Sequence, residues 1–388
     1  MGELKSELYV GLMSGTSLDG VDGVLVDFVS PTEFLVLAHA YQPFPDALRQ
    51  EFLALNAPGF GELHRSALAA NALARVYAHV VQELRVQPGC VDRLITAVGA
   101  HGQTVRHRPQ EFDNGPGASG GYTLQLNNPA LLAELTGVDV VADFRTRDVA
   151  AGGQGAPLVP AFHQSVFGSA GKAVAVLNIG GISNISLIAP TDGAGSSDVV
   201  GFDCGPGNAL MDHWCQKHTG RVFDAGGQWA ATGRVIPDLL AALLDEPYFG
   251  KAPPKSTGRD LFNVEWLDAR LSRFEANSAA DVQATLIELT ASPCADCIVS
   301  YTKDSGWPIN ELVVCGGGAL NTYLMARLQA RLPTVSVASS QARGLPPLQV
   351  EATAFAWLAR KTVHRETGNL PKVTGAQGTR ILGAIYPA

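Results

Sequence analysis

The stretch LYVGLMSGTSLDGVDGVLVDF, residues 8–28, places a loop of small and hydroxyl-bearing residues between two apolar runs. Both runs, residues 7–12 and 21–28, are rich in Val and Leu and predict two β-strands. The loop from Ser14 to Gly20 then closes a β-hairpin, and its backbone N–H groups and hydroxyls are suited to cradle a phosphate. An ordinary solvated turn has the same polarity, so this stretch alone leaves both interpretations open.

Two common nucleotide-binding loops do not fit this stretch. The dinucleotide-binding fingerprint requires a strand, G-x-G-x-x-G and then a helix, whereas the loop here leads into VDGVLVDF, which has the pattern of a strand. A Walker A loop requires G-x-x-x-x-G-K-[ST], and no window of the sequence supplies it. The remaining nucleotide-binding interpretation is a hairpin turn that holds phosphate through its backbone.

The second half of the chain repeats the same plan. Residues 173–189 again have the pattern of strand, Gly/Ser/Asn turn and strand, with NIGGISN (178–184) at the turn. A third glycine turn, CGGGALN (315–321), opens a helix, and its lack of side chains suits the close approach of a nucleobase or ribose. Two hairpins with polar glycine turns predict an internally duplicated fold whose turns face each other across a cleft.

This assembly is the pattern of the sugar kinase/Hsp70/actin superfold. The expected fold class is therefore α/β, a two-domain actin-like ATPase (ribonuclease H-like) fold with an inter-domain cleft. We expect the boundary in the glycine-rich RDVAAGGQGAP, residues 147–157. Residues 1–146 and 372–388 would then form the N-terminal domain, to which the last strand-like run returns, and residues 147–371 the C-terminal domain.

The composition excludes several classes of partner. At 388 residues, with 46% hydrophobic and 16% charged residues, the chain has the composition of a globular protein of two domains. The net charge is −8 and no block of Lys and Arg occurs, which disfavours a nucleic-acid partner. The sequence shows neither a signal peptide nor an apolar run of the roughly 18 residues that span a bilayer. We therefore expect a cytoplasmic protein without a membrane partner.

The six cysteines do not predict a disulfide framework in a chain of this kind. Cys294 and Cys297 form the one C-x-x-C motif, without a second pair or a nearby His. This pattern favours an i,i+3 pair of small apolar residues on a buried helix face over a zinc or redox site.

The segment GFDCGPGN, residues 201–208, carries the strongest single candidate for catalysis. Asp203 follows an apolar strand and precedes a Gly-Pro-Gly turn that directs a helix N-terminus to the same place. A carboxylate there can act as a general base and remove a proton from an attacking oxygen. The alternative is that Asp203 only caps the helix, but the turn places it several residues ahead, which favours catalysis.

Further polar residues lie at the ends of predicted strands or near the starts of predicted helices. His101, Thr104 and Arg145 follow two strands and are able to hydrogen-bond a polyhydroxylated, carboxylated ligand, although packing roles explain them equally well. The loop PPKSTGRDLFN (253–263) faces a substrate or simply starts a helix that Ser256 or Thr257 caps. Glu351 begins an Ala-rich helix, where the helix dipole alone favours a carboxylate.

Together these motifs resemble the anhydro-N-acetylmuramic acid kinase family. The matching segments run in family order from residue 11 to about residue 359 and cover nearly the whole chain: GLMSGTSLDGVD, AHGQTV, ADFRTRDVAAGGQGAPLVPAFH, LNIGGISN, GFDCGPGN, PPKSTGRDLF, VCGGGALN and EATAFAWLA. The resemblance implies an ATP-dependent kinase of peptidoglycan recycling. Such enzymes open the intramolecular bond of 1,6-anhydro-N-acetylmuramic acid with water and phosphorylate O6, giving N-acetylmuramic acid 6-phosphate and ADP.

The resemblance and the fold pattern imply roles for individual residues. Asp203 would activate the water, and Glu351 would lie beside the sugar and help to position that water. Asp19 either holds Mg²⁺ through water or only braces the turn. The expected ATP-binding residues are Gly15, Thr16, Ser17, Leu18, Asp19, Gly20, Val21, Asp22, Gly180, Gly181, Asn184, Gly316, Gly317 and Gly318. The expected sugar-binding residues are Ser14, His101, Thr104, Arg145 and Asn208.

Two positions depart from the family pattern, and two rival functions stay open. Cys204 stands where Thr is the more frequent residue, and Asn127 stands where Gly is expected. A kinase of a free hexose or amino sugar would use Asp203 to deprotonate a hydroxyl directly. A non-catalytic nucleotide-switched module of the same fold would close on ATP without transferring phosphate. By analogy with the family, the resemblance suggests a homodimer.

Overall fold

The computed structural model describes residues 6–15, 17–30, 32–91, 93–109, 111, 120–191, 198–253, 255–258 and 261–388. By its internal contacts the chain divides into two compact units. Unit 1 comprises Met1–Val166 and Gln349–Ala388, and unit 2 comprises Phe167–Leu348. Within the described ranges, every helix is too short or too polar to traverse a lipid bilayer.

Across the described residues the chain forms groups of β-strands separated by one or more α-helices. The strands are β1 (Glu7–Met13), β2 (Gly20–Phe28), β3 (Phe34–Pro43), β4 (Ile95–Ala100), β5 (Gln103–Arg108), β6 (Tyr122–Leu126), β7 (Val140–Ala142), β8 (Ala173–Ile179), β9 (Ile182–Ile188), β10 (Val199–Pro206), β11 (Ile309–Cys315), β12 (Ser336–Ser339) and β13 (Ala384–Tyr386). The helices are α1 (Asp46–Leu55), α2 (Glu62–Arg85), α3 (Pro129–Thr136), α4 (Thr146–Val149), α5 (Val159–Phe167), α6 (Asn208–Thr219), α7 (Pro237–Leu244), α8 (Val264–Leu271), α9 (Ala279–Ser305), α10 (Thr322–Arg331), α11 (Val350–Val363) and α12 (Pro371–Thr374).

The main sheet of unit 1 has the strand order β13-β7-β4-β1-β2-β3. Strand β2 is antiparallel to both β1 and β3, whereas β4 and β7 continue the sheet in parallel with β1. The apolar runs on either side of the first loop are therefore a β-hairpin, which confirms the prediction from the opening stretch. The short β13 pairs with β7, so the end of the chain belongs to unit 1.

Helices cover both faces of this sheet, and glycines set their approach. A Cβ on Gly11 would lie 1.9 Å from the carbonyl oxygen of Ala352, so α11 packs directly on β1. On the opposite face, a Cβ on Gly23 would lie 2.3 Å from Cγ1 of Val80 on α2. Because successive residues of a strand point to opposite faces, the hairpin is held between the two helices.

The sheet of unit 2 has the order β10-β9-β8-β11-β12. Strand β9 is antiparallel to β8 and β10, and β11 and β12 run parallel to β8. This is the strand order 3-2-1-4-5, with the second strand reversed, that β3-β2-β1-β4-β7 forms in unit 1. The predicted internal duplication is therefore confirmed at the level of topology. Helix α9 packs behind this sheet, capped at its start by the Ser278 side chain.

The contact-based boundaries differ from the boundaries expected from composition. The glycine-rich segment 147–157 lies inside unit 1, and the chain passes to unit 2 only after Val166. It returns at Gln349, ahead of α11, rather than at residue 372. The reason is packing: α11 lies against β1 at Gly11 and against β4 at Gly99, so it is part of the first core. The local composition of a segment does not predict contacts between residues that are far apart in the sequence.

Candidate active site

Side chains from other elements of unit 1 anchor the turn between β1 and β2. The buried Ser14 hydroxyl donates to the Gly102 carbonyl oxygen (3.2 Å) and lies 3.0 Å from the Tyr77 hydroxyl. The same Tyr77 oxygen accepts a hydrogen bond from the Gly102 N–H (3.1 Å). Gln103 Nε2 donates to the Gly15 carbonyl oxygen (3.1 Å). Ser14 thus uses its hydroxyl to hold the turn, and its predicted contact with the sugar stays a prediction.

Sequence reasoning missed two of these anchors. Gln103 lies inside the quoted AHGQT motif, so its position beside His101 was a usable signal. Tyr77 lies within a long Ala/Leu-rich helix, where nothing in the pattern distinguishes it from an ordinary core residue. Only the tertiary structure brings its hydroxyl to the turn.

The apex of the same turn combines a buried apolar side chain with an exposed carboxylate. Leu18 has a φ of +57°, which non-glycine residues seldom adopt, and it is only 3% exposed. The exposed Asp19 accepts hydrogen bonds through Oδ1 from the Ser17 hydroxyl (2.6 Å) and the Gly20 N–H (3.1 Å). Asp19 therefore braces the turn, and a role in holding Mg²⁺ stays a prediction. Thr16, also expected in the ATP-binding set, lies outside the described residues.

The last three residues of the predicted ATP-binding segment in unit 1, residues 20–22, differ in their surroundings. Val21 is fully buried in the core of unit 1. A Cβ on Gly20 would lie 2.5 Å from the Gln42 carbonyl oxygen, so this position has no room for a side chain. Asp22 Oδ1 lies 2.9 Å from Nε2 of His39 on β3.

Glu351, at the start of α11, forms an ionisable cluster with residues of the hairpin. Burial raises the pKa of the Glu351 carboxyl from 4.5 to about 7, and the negative charges of Asp22 and Asp19 add to that shift. The positive charge of Arg145 opposes it. Glu351 is thus a carboxyl group that exchanges a proton near neutral pH, as a catalytic acid or base requires. Its place at the helix N-terminus confirms the expected position, and its catalytic role stays a prediction.

Arg145 and His101 form a second hydrogen-bonded pair of ionisable side chains in unit 1. Arg145 donates from Nη2 and Nε to Nε2 of His101 (2.9 and 3.1 Å) and from Nη1 to the Gly155 carbonyl oxygen (2.8 Å). Burial lowers the pKa of His101 to about 3, and the charge of Arg145 lowers it further. Burial also lowers the pKa of Arg145, to about 10. At neutral pH the histidine is therefore uncharged and the arginine is a cation.

The predicted sugar-binding residues are distributed over both units. Ser14, His101, Thr104 and Arg145 belong to unit 1, and Asn208 belongs to unit 2. The Thr104 hydroxyl on β5 accepts a hydrogen bond from Gln125 Nε2 (3.2 Å). For these residues a contact with the sugar stays a prediction.

The turn between β8 and β9 in unit 2 is held mainly by backbone hydrogen bonds, supplemented by the Asn208 side chain. The N–H of Gly207 donates to the Gly181 carbonyl oxygen (2.9 Å). The N–H of Asn208 donates to the Gly180 carbonyl oxygen (2.7 Å). Asn208 Nδ2 also donates to the Ile179 carbonyl oxygen (3.1 Å). A Cβ on Gly207 would lie 2.2 Å from the Gly180 oxygen, so this close approach requires glycine. The start of α6 and the hairpin turn are therefore one structural feature.

The triple-glycine segment packs against the same turn. Gly316 has a φ of +76°, and a Cβ on Gly318 would lie 2.4 Å from Ile179 Cγ2. A Cβ on Gly317 would lie 3.3 Å from Asn208 Nδ2. Unit 2 thus brings together the predicted ATP-binding segments around residues 180–181 and 316–318. Their contact with nucleotide stays a prediction.

The structure differs from the expectation that this segment opens directly into a helix. Residues 317–320 form a short 3₁₀ turn, and α10 begins only at Thr322. Asn321 caps α10, since its side chain accepts a hydrogen bond from the Leu324 N–H. The glycines are needed for packing on β8, and the helix dipole begins beyond them.

Asp203 lies on β10, and a loop of the same unit holds its carboxylate. Oδ2 accepts hydrogen bonds from the Ser256 hydroxyl and the Thr257 N–H, each 3.0 Å long. The backbone is tied as well, because the Asp203 N–H donates to the Lys255 carbonyl (3.2 Å) and the Tyr248 hydroxyl donates to the Asp203 carbonyl (2.8 Å). Burial raises the pKa of Asp203, while the hydrogen bonds from Thr257 and Ser256 oppose that shift.

The capping alternatives considered for these segments are wrong. The N-cap of α6 is Gly207, without a side-chain cap, so Asp203 does not cap that helix. The N-cap of α8 is Asn263, so the loop residues 255–257 do not cap it either. That loop instead holds Asp203, whose partner across the sheet on β9 is Asn184. A rigidly held carboxylate with raised basicity is what a general base requires.

Each unit therefore carries a mixed sheet of one ribonuclease H-like order, with a glycine-containing hairpin turn at its centre. This architecture defines the class of the protein, a duplicated α/β ATPase fold of the actin-like kind. The family model described as anhydro-N-acetylmuramic acid kinase matches residues 7–388. The chain belongs to the anhydro-N-acetylmuramic acid kinase family.

Two named relatives agree with this assignment. The chain is 63% identical to an anhydro-N-acetylmuramic acid kinase of Albidiferax ferrireducens, over 99% of this chain and 100% of the relative. It is also 63% identical to that of Variovorax paradoxus, again over 99% of this chain and 100% of the relative. Among solved structures, it is similar to component A of (R)-2-hydroxyglutaryl-CoA dehydratase from Acidaminococcus fermentans, with a TM-score of 0.45, 12% identity and coverage of 92% of this chain and 99% of that one.

Proposed function

We propose that the protein is an ATP-dependent kinase that opens the 1,6-anhydro ring of 1,6-anhydro-N-acetylmuramic acid with water and phosphorylates O6. The products are N-acetylmuramic acid 6-phosphate and ADP, and the reaction belongs to peptidoglycan recycling. Family membership over nearly the whole chain supports this proposal. The structural observation that carries it is Asp203, whose carboxylate the 255–257 loop holds in a fixed orientation.

Asp203 acts as the general base that activates water. The water oxygen attacks the anomeric carbon, and the carbon–O6 bond breaks, so that the electron pair remains on O6. One water proton passes to the Asp203 carboxylate and the other stays on the new anomeric hydroxyl. O6 then attacks the γ-phosphorus, and ADP leaves. A raised pKa suits Asp203 to this step, because a more basic carboxylate accepts the proton more readily.

The segments around the two hairpin turns bind ATP. In unit 2 the glycines of residues 180–181 and 316–318 present backbone without side chains, as close approach of phosphate and adenosine requires. In unit 1 the exposed Asp19 carboxylate lies at the apex of the turn.

The described residues fit a Mg²⁺ ion that is held mainly by ATP and water. No group of three or more His, Cys, Asp or Glu side chains among them is arranged to hold a metal ion by itself. Oxygen ligands from one carboxylate, supplemented by phosphates and water, are the usual magnesium environment. Asp19 would hold the ion through water, and the ion would neutralise charge on the phosphates.

Of the residues that bind the sugar in this proposal, all but Asn208 belong to unit 1. The substrate carries a carboxylate on its lactyl group, and Arg145 supplies a cation whose orientation is set by His101 and the Gly155 carbonyl. Thr104 offers a hydroxyl, and Asn208 an amide, to the sugar oxygens. Glu351, whose pKa is raised to about 7, positions the attacking water.

The decisive experiment follows oxygen from the solvent. The purified protein is incubated with ATP and the anhydrosugar in ¹⁸O-labelled water, and the product is examined by mass spectrometry. We expect one ¹⁸O atom at the anomeric hydroxyl for each phosphate transferred. A control incubates unlabelled product in the same water with the enzyme, which measures label that enters by exchange alone.

The rival functions predict other outcomes. A kinase of a free hexose or amino sugar would phosphorylate N-acetylmuramic acid or glucose and would place no label from water during turnover. A nucleotide-switched module would bind ATP without forming a sugar phosphate. Either outcome, with the anhydrosugar left unchanged, would contradict the proposal.

Two further expectations belong to the proposal. A cytoplasmic location fits a reaction that consumes ATP. A homodimer, suggested by the family resemblance, is tested by sedimentation velocity over a range of protein concentrations.

A further inference from the structure

The glycine-rich segment 147–157 folds around one buried carboxylate of unit 1. Asp148 on α4 is fully buried, and both of its carboxylate oxygens accept hydrogen bonds. Oδ1 accepts from Nδ2 of Asn369 (2.6 Å) and from the Thr374 hydroxyl (2.8 Å). Oδ2 accepts from the Gly155 N–H (2.8 Å). An ionised carboxylate is able to accept at both oxygens, whereas an amide is not.

The surroundings of Asp148 leave its carboxylate one orientation. A Cβ on Gly153 would lie 2.2 Å from Asp148 Oδ2, so the chain closes on the carboxylate without room for a side chain. The Gln154 N–H donates to the Thr374 carbonyl oxygen (2.7 Å), which fastens the segment to a part of unit 1 more than 200 residues later in the chain. The carboxylate is therefore fixed by its own segment and by the segment around Thr374.

Gly155 connects this carboxylate to Arg145. Its N–H donates to Asp148, and its carbonyl oxygen accepts a hydrogen bond from Nη1 of Arg145 (2.8 Å). Gly155 has a φ of +67°, and a Cβ there would lie 2.8 Å from Cγ2 of Val149, so the position requires glycine. Asp148 thus fixes the residue that in turn fixes the Arg145 guanidinium.

The charge of Asp148 acts on the same guanidinium. Burial lowers the pKa of Arg145 to about 10, and the negative charges of Glu351 and Asp148 oppose that shift. Asp148 therefore supports the cationic form of Arg145 as well as its orientation.

We propose that Asp148 is a positioning residue of the sugar site: through Gly155 it holds the Arg145 guanidinium where the substrate carboxylate binds, and so sets the preference for a carboxylated anhydrosugar. This inference rests on the proposed function, in which Arg145 binds the lactyl carboxylate. A buried carboxylate that only stabilised the fold would affect all substrates alike. Sugars that differ at this one group therefore separate the two roles.

Asp148→Asn keeps the size of the side chain but replaces one acceptor with a donor. Because two donors meet Oδ1, the amide oxygen should stay there, and the NH2 group should then face the Gly155 N–H. Two donors at this distance repel each other, so Gly155 and the Arg145 guanidinium should shift. The substitution should in this way weaken binding of the substrate carboxylate.

The kinetic test compares 1,6-anhydro-N-acetylmuramic acid with 1,6-anhydro-N-acetylglucosamine, which lacks the lactyl group. In full-length Asp148→Asn, kcat/KM for the carboxylated sugar should fall roughly tenfold through KM, with kcat, the KM for ATP and kcat/KM for the other sugar nearly unchanged. Asp224→Asn is the matched control, because Asp224 is a buried carboxylate of unit 2 that also accepts backbone hydrogen bonds. It should lower stability without changing the ratio of kcat/KM for the two sugars.

Two more variants connect the effect to Arg145. In the Arg145→Ala protein, adding Asp148→Asn should cause no substantial further loss of kcat/KM, since the group that Asp148 positions is absent. Thr374→Val removes one hydrogen bond to Oδ1 and leaves the charge in place, so KM for the carboxylated sugar should rise by about two- to threefold. This milder variant decides the question if Asp148→Asn does not fold.

A further measurement needs no substrate. The Nε–H of Arg145 donates to Nε2 of His101 (3.1 Å), so in protein labelled with ¹⁵N-arginine its proton should exchange slowly with water. The NMR signal is identified by its absence from Arg145→Ala. Asp148→Asn and Thr374→Val should both accelerate this exchange, whereas Asp224→Asn should not.

The outcomes separate this inference from the proposed function. Equal losses for both sugars in Asp148→Asn, an undiminished effect of Asp148→Asn in the Arg145→Ala protein, or unchanged exchange of the Arg145 proton would each overturn the role of Asp148. A wild-type protein that phosphorylates neither sugar would instead refute the proposed function. The exchange measurement then still decides whether Asp148 positions Arg145.

Discussion

The two hairpin turns occupy equivalent positions in two sheets of the same strand order, yet they are held by different means. In unit 1 the turn after β1 depends on side chains, through Ser14, Tyr77 and Gln103. In unit 2 the turn after β8 depends on backbone bonds from Gly207 and Asn208 at the start of α6. The shared topology thus specifies where a turn lies, while local residues decide what stabilises it.

The two units also differ in their ionisable groups. In unit 1, burial raises the pKa of Glu351 to about 7, the negative charges of Asp22 and Asp19 add to this shift, and the positive charge of Arg145 opposes it. Unit 2 places one carboxylate, Asp203, in a frame of neutral hydrogen-bond donors. The following variants test the roles proposed for the groups of each unit.

The largest effect is expected for Asp203→Asn. The amide keeps the size of the side chain but cannot accept the water proton, so kcat should fall by about 10³-fold, within the usual range for a general base. ATP affinity, measured by calorimetry, should change little. Asp238→Asn, a change of an exposed residue on α7 of the same unit, serves as the matched control and should retain wild-type kcat. Substantial activity in Asp203→Asn would remove Asp203 from its assigned role.

The next largest effect on activity is expected for Glu351→Gln, which should also change the pH dependence of kcat/KM. With a pKa of about 7 for Glu351, the wild-type profile of kcat/KM should show an ionisation near neutrality. In the variant that ionisation should be absent from the profile. Its kcat/KM should be roughly 10- to 100-fold lower than that of the wild type. Glu134→Gln, at an exposed position on α3 of unit 1, should keep the wild-type profile. An unchanged ionisation in Glu351→Gln would show that another group titrates there.

The same variant makes an opposite prediction for stability. Since the folded-state pKa of Glu351 is raised above 4.5, its stabilising contribution is fully present below about pH 4.5 and is lost as pH rises through about 7. Glu351→Gln removes this loss, so at pH 8 its free energy of unfolding should exceed that of the wild type by about 2 kcal/mol, allowing for partial exposure. Denaturant unfolding at pH 5 and pH 8 measures the difference. A variant less stable than wild type at pH 8 would contradict the assigned burial of charge.

Two glycine variants test the backbone-held turn of unit 2. A Cβ on Gly207 would lie 2.2 Å from the Gly180 oxygen, so Gly207→Ala should lower the free energy of unfolding by about 1–3 kcal/mol. Gly180→Ala has its nearest neighbour at 3.7 Å, so stability should be unchanged. If the Gly180 turn contacts ATP, that variant should instead raise the KM for ATP severalfold. Equal stability losses in both variants would show that the turn is not specified by the Gly207 contact.

The smallest effect is expected for Tyr77→Phe in unit 1. Loss of the hydroxyl removes the partner of the Ser14 hydroxyl and of the Gly102 N–H, at a cost of about 1–2 kcal/mol in the free energy of unfolding. Thermal unfolding should show this loss, whereas Tyr386→Phe, on β13 of the same unit, should be close to wild type. A Tyr77→Phe protein as stable as wild type would mean that backbone contacts hold this turn as well.

Much of the fold could be predicted because it is encoded locally. Alternating apolar residues and short polar turns predict hairpins directly, and both predicted hairpins are present as β1–β2 and β8–β9. The limits of the two units could not be predicted in this way. Helix α11 belongs to unit 1 because Gly11 and Gly99 admit it against β1 and β4, more than 250 residues before it in the chain.

The candidate site was predictable where a residue type carries its own chemistry. A carboxylate after an apolar strand pointed to Asp203, and glycine turns pointed to residues 180–181 and 316–318. Tyr77 was not predictable, because its hydroxyl acts on a turn more than 60 residues earlier in the chain. The raised pKa of Glu351 was not predictable either, since it depends on burial and on charges from β2 and from the segment around Arg145.

The opening stretch shows where this division falls. By itself the sequence determined a hairpin with a small, hydroxylated turn, its repetition in the second half, and the motifs that mark the family, because strand periodicity and turn chemistry are properties of neighbouring residues. Only the tertiary structure decided that Ser14 and Asp19 hold that turn and that Glu351 ionises near neutral pH. Hydrogen bonds, burial and electrostatic shifts of this kind depend on distances between residues far apart in sequence, which a linear pattern does not record.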